Sequence, residues 1–113
     1  MAELREHDGR RYAVQFCYSV PDDAWHIELS EAVPAPETWA DLPNAVAYLP
    51  GPAFVLAVVP DEDPSAQPFV HLYSGVDRAI PYEVVQWFME KVSAEVERCR
   101  HSLAPNAHEA SAA

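Results

Sequence analysis

The sequence predicts an α+β fold: an antiparallel sheet of about five strands, two hairpins plus one strand, packed against one long C-terminal helix. Three observations carry this reading. Residues 11–20 alternate between apolar and polar side chains, short apolar runs of strand length recur as far as residue 73, and a single helical period occupies residues 81–102. A chain of 113 residues has room for one core, burying about 65% of its unfolded surface. We therefore divide it into a polar N-terminal segment over residues 1–10, one α+β domain over 11–103, and a disordered tail over 104–113.

In the first strand Tyr12, Val14, Phe16, Tyr18 and Val20 share one face, and Arg11, Ala13, Gln15, Cys17 and Ser19 the other. Pro21-Asp22-Asp23-Ala24 supplies turn chemistry, after which Trp25, Ile27 and Leu29 resume the alternation against His26, Glu28 and Ser30. A hairpin follows. Residues 30–44 hold three prolines and no sustained period, which predicts a loop with Trp39 tucked inward. Residues 45–49 and 53–59 are apolar runs separated by Pro50-Gly51-Pro52, read as a second hairpin because both prolines lack a ladder donor.

Residues 54–59 are apolar on both alternating faces, as expected of a central strand covered on each side. One helix covers one side only, so the Trp39 loop or a partner subunit is the expected cover for the other. Residues 60–68 form a stiff acidic connection, and 69–73 read as the last strand. Ser74-Gly75-Val76-Asp77 then turns the chain into a helix placed near residues 81–102 by the favoured first-turn proline, about 33 Å long. Its stripe is Val84, Val85, Phe88, Val92, Val96, Cys99 and Leu103.

Charge narrows the function classes. There are 18 acidic residues against 7 basic ones, a formal net charge of −11, and residues 12–77 contain ten acids and no Lys or Arg. Direct binding to nucleic acid or to an anionic membrane is disfavoured, because both need cations. A basic protein partner is favoured instead. The polar N-terminus and the lack of any apolar run of about 18 residues predict a soluble, cytoplasmic protein. One Lys beside six Arg, with abundant Ala and Pro, points to a GC-rich bacterial source.

Assembled catalytic chemistry is hard to find. GxGxxG, GxxxxGK[ST] and HExxH are all missing, so no cofactor is expected. Cys17 sits in mid-strand with nothing nearby in sequence to lower its pKa, and it reads as a packing or edge residue. Two thiols, Cys17 and Cys99, in a cytosolic chain are expected to be reduced. His26, Glu28 and His71 could meet across a sheet as a metal or acid/base group, although polar residues opposite an apolar strand face need no such role. Asp61, Glu62 and Asp63 lack the glycine-punctuated spacing of a calcium loop, so no metal site is assigned to them.

The leading expectation is a small non-enzymatic protein-binding module of inhibitor, immunity, adaptor or regulatory type. It would dock a basic partner through Asp22, Asp23, Glu28, Asp61, Glu62 and Asp63, and through an aromatic patch at Tyr82 and Trp87 on the helix edge. In its sharpest form the carboxylates stand where the phosphates of a nucleic acid would lie. The alternative is a small enzyme or ligand-binding fold with a pocket between sheet and helix near Trp25, Trp39 and His71. A homodimer covering the open sheet face is a third arrangement.

Overall fold

A computed structural model describes residues 2–63, 65–73 and 79–103, with backbone only at 102 and 103. Five strands, β1 (Ala2–His7), β2 (Arg10–Ser19), β3 (Ala24–Pro34), β4 (Tyr48–Pro60) and β5 (Phe69–Leu72), pair antiparallel in the order β1-β2-β3-β4-β5. One helix, α1 (Tyr82–Leu103), packs across the sheet. The α+β architecture is the one the periodicities predict. The expected turn at residues 74–77 and tail at 104–113 lie outside the described residues.

Three boundaries differ from expectation. The polar N-terminal segment is a strand, joined to β2 through Asp8 and Gly9, both at positive φ (49° and 77°). A two-residue turn of that hand matches the twist of a hairpin. Pro50-Gly51-Pro52 makes no hairpin: the chain runs straight through it within the 13-residue β4. The tripeptide lies opposite a register shift between Ser30 and Ala32, and a Cβ at Gly51 would stand 2.6 Å from the Glu31 carbonyl oxygen. Glycine permits that close approach and the bulge absorbs the missing ladder bonds. Finally, residues 30–34 belong to β3, so the central strand is β3 and not residues 54–59.

Alternation sorts the side chains into two faces. Toward α1 lie the rows Val14, Leu29, Val55, Leu72 and Phe16, Ile27, Ala57, Val70. Tyr12, Val14, Ile27, Leu29 and Val59 there close a core with Val84, Trp87, Phe88, Val92 and Cys99. The helix lies beside β1: Lys91 pairs with Glu3 at 2.6 Å, Arg5 stands over the Trp87 ring at 5.9 Å, and His7 is 3.4 Å from Glu83. Trp87 is therefore a core residue, 9% exposed.

Among the described residues the other face is covered only in part. Beyond the register shift the paired ends of β3 and β4 bend over it, bringing the Tyr48 ring to 4.4 Å from the Arg11 guanidinium and Val46 to Pro50 beside Ala2, Leu4 and Gln15. Ala13 is fully buried there. The Trp39 loop does not supply this cover. It closes on itself at the tip of the arm, where the Ala35 N–H donates to the Ala47 carbonyl, and leaves Trp39 36% exposed instead of tucked inward.

Candidate functional site

The uncovered part of this face, over β3, β4 and β5, is built from three cross-strand rows. Cys17, His26, Val58 and Phe69 form one, Gln15, Glu28, Leu56 and His71 the next, and Ser19, Ala24 and Pro60 the third. Ala24, Leu56 and Val58 make a small apolar cluster of their own. Over it lies an open groove of about 470 Å³, bounded by Asp22, His26, Pro60, Phe69 and His71. Apolar floor and few polar groups on the walls are the usual make-up of a binding site.

Polar geometry at the rim is specific. Nε2 of His26 lies 3.0 Å from Asp22 Oδ2, and the Ser19 hydroxyl donates to the same oxygen at 3.1 Å. Asp22 thus orients the imidazole, while Ser19 spends its hydrogen on the carboxylate and not on a base. Nucleophilic catalysis needs the opposite arrangement, with the hydroxyl hydrogen held by the histidine. His71 packs edge-on against Phe69, ring centroids 5.1 Å apart. Among the described residues no three His, Cys, Asp or Glu side chains converge as metal ligands. His26, Glu28 and His71 do share this face, in adjacent rows on β3 and β5.

The acidic residues converge at the neighbouring end of the sheet. Asp22 and Asp23 lie in the β2–β3 turn and Asp61, Glu62 and Asp63 follow β4. The two segments meet where the Asp61 N–H donates to the Asp23 carbonyl at 3.0 Å. Partial burial, together with the fields of Asp61, Asp23 and Glu62, raises the pKa of the Tyr18 hydroxyl above its ordinary value. The Ser65 hydroxyl and N–H both donate to Asp63, at 2.7 and 2.9 Å, and hold its carboxyl below the usual range. Asp22 belongs both to this end and to the groove wall.

Of the residues expected to bind a partner, Asp22, Asp23, Asp61, Glu62 and Asp63 form this acidic end, and Glu28 stands half-buried on the face beside the groove. Tyr82 and Trp87 do not join them. Tyr82 is 77% exposed at the start of the helix, whereas Trp87 faces the core beneath Arg5, so the two form no common exposed patch. Trp87, one position before Phe88, is seated against β1 because α1 flanks that strand as well as the sheet face.

Nor do Trp25, Trp39 and His71 line one pocket. Trp25 lies on the helix side against Tyr18 and Arg98, His71 bounds the groove on the other side, and Trp39 borders a separate depression at the arm tip. Cys17 is exposed, and Cys99 is buried under the opposite face with its thiol pushed up to about 11, first by burial and then by Asp61 and Glu95. The two cysteines are free.

Residues that sequence reasoning passed over are Leu56, Val58 and Phe69 as the floor and wall of a groove. For Leu56 and Val58 the signal was present in the apolar character of both faces of residues 54–59. Comparison with known protein families, with curated proteins and with solved structures gives no match to this chain. No helix among the described residues is long and apolar enough to cross a membrane.

Proposed function

We propose that this chain is a small non-enzymatic binding module that holds a basic partner protein against the acidic end of the sheet and the adjoining apolar groove. The observation that carries the reading is the meeting of Asp22–Asp23 with Asp61–Asp63 beside an uncovered floor of Ala24, Leu56 and Val58. Carboxylates at the rim steer a cationic surface and reject acidic competitors, while the apolar floor supplies desolvation that exposed ion pairs alone do not. A partner whose natural ligand is nucleic acid would meet carboxylates in place of phosphates. No catalytic role is assigned to His26, which in this reading is a groove wall held in place by Asp22.

The test uses the protein as bait in lysate of the source cells, beside a variant carrying Asp22→Asn, Asp23→Asn, Asp61→Asn, Glu62→Gln and Asp63→Asn. A basic protein retained by the native bait at low salt, released at moderate salt and not retained by the variant is the expected result. Retention that ignores both salt and the five substitutions overturns the reading, as does the absence of any retained basic protein.

A further inference from the structure

The two edges of the sheet are built differently. β1 carries Glu3, Arg5 and Glu6, and its helix-side residues are engaged by α1 through Lys91, Trp87 and Glu83. Charges of this kind are what natural sheets use to discourage a further strand. β5 has none: its sequence is Phe69-Val70-His71-Leu72, all four residues are exposed, and among the described residues no strand pairs with its outer side. The Tyr73 N–H donates inward to the Phe54 carbonyl at 3.0 Å. In an antiparallel ladder inward-facing residues alternate, so the N–H and C=O groups of Val70 and Leu72 point away from β4, toward the side on which no described strand lies.

An added strand would find a different surface on each side. On one, alternate side chains would lie next to Phe69 and His71 at the mouth of the groove. On the other they would cover Val70 and Leu72, 44% and 78% exposed. The start of β5 is opposite Val58, two residues before Pro60, so that end of the edge adjoins Asp61, Glu62 and Asp63. We infer that β5 is the docking edge of the module and that its occupant is an extended apolar segment of the partner, paired antiparallel to β5 and followed by Arg or Lys residues that lie beside the acidic end. A second copy of this chain is disfavoured as occupant because each copy carries a net charge of −11.

This inference rests on the basic-partner reading and adds to it the mode of binding, strand addition. The probe is a fluorescein-labelled peptide of alternating valine and threonine ending in an Arg-Arg pair, followed by fluorescence anisotropy at low salt. Two changes remove the backbone pairing and leave the charges in place. The first is N-methylation of the peptide amides that face β5. The second is Val70→Pro, which deletes an N–H that the ladder with β4 does not use. N-methylation, which removes a few backbone hydrogen bonds, is expected to weaken binding by more than about tenfold, and Val70→Pro, which removes one, by up to about tenfold. Circular dichroism of Val70→Pro checks that the sheet is intact, and Val70→Lys, which keeps the N–H but charges the edge, gives the same loss.

Unchanged binding after both backbone changes overturns strand addition while leaving the acidic docking reading standing, provided that the five carboxylate substitutions still weaken the peptide. No binding of the parent peptide also overturns strand addition. Equal binding of a Glu-Glu-ended peptide overturns the basic chemistry of the occupant, and with it the proposed function. A dimer in sedimentation that Val70→Pro dissolves overturns the choice of occupant in favour of a second copy.

Discussion

On the helix side of the sheet Val14, Ile27, Leu29 and Val59 are sealed beneath an element of 22 residues; on the other side Leu56 and Val58 are nearly as well hidden with no described element above them. The second kind of burial comes from strand neighbours, from the half-exposed His26, and from Phe69 and His71 at the edge. The first removes apolar surface from water completely and carries most of the stability. The second leaves a shallow apolar floor that a partner can finish covering. One sheet therefore supports folding with one face and presents a groove with the other.

The widest gap between the faces is expected in core truncations. Phe88→Ala should cost about 3–5 kcal/mol by urea denaturation, because it empties a large, fully buried site in the core between α1 and the sheet. Leu56→Ala should cost about 2 kcal/mol, since water already reaches the groove. Equal losses would erase the distinction between the faces.

The cysteines read the same contrast chemically. Cys17 should react with an aromatic disulfide in the native protein and Cys99 only on unfolding, because one thiol is exposed and the other is held neutral under the helix. A thiol whose folded pKa is raised favours the protonated native state. Its contribution is complete below the ordinary value of 9.0 and is lost as pH climbs through about 11. Stability should fall across that window by an amount on the order of 2 kcal/mol, and Cys99→Ala should flatten the slope, as measured by denaturation at stepped pH.

Gly51→Ala tests the arm that covers the remaining part of the open face. Its new methyl meets the Glu31 carbonyl, so the arm must shift at a cost of about 1–2 kcal/mol. The expected signature in a two-dimensional amide spectrum is a set of shifts around Ala13, Tyr48 and Leu49, with the residues beneath α1 unmoved.

The helix was legible from residues 81–102 because a sustained apolar period and a first-turn proline agree there. β2 and the start of β3 were legible because their alternation is clean. β1 was not, because Ala2–His7 carries charged residues on both faces and is held by pairing and by contacts with α1 that no local pattern encodes; its one signal is the Asp8-Gly9 pair. Proline chemistry misled at Pro50-Gly51-Pro52, where bulges that place extra residues in β4 itself make a turn sequence part of the strand. For the site, the acidic runs were visible but not their meeting, which depends on β3 and β4 ending together at Ala24 and Pro60. Trp87 was misplaced because a helix that also flanks β1 buries a wider arc than a sheet face alone requires.

Every strand in the order β1 to β5 pairs with its neighbour in sequence, and α1 follows them all. During synthesis the meander can therefore zip strand by strand as it leaves the ribosome, each closure joining neighbours in sequence. Tyr12, Val14, Ile27 and Leu29 have no cover until the last of the described elements emerges. For that interval the nascent chain carries an open apolar face, and a net charge of −11 is of a size that repels neighbouring unfinished chains until the helix docks.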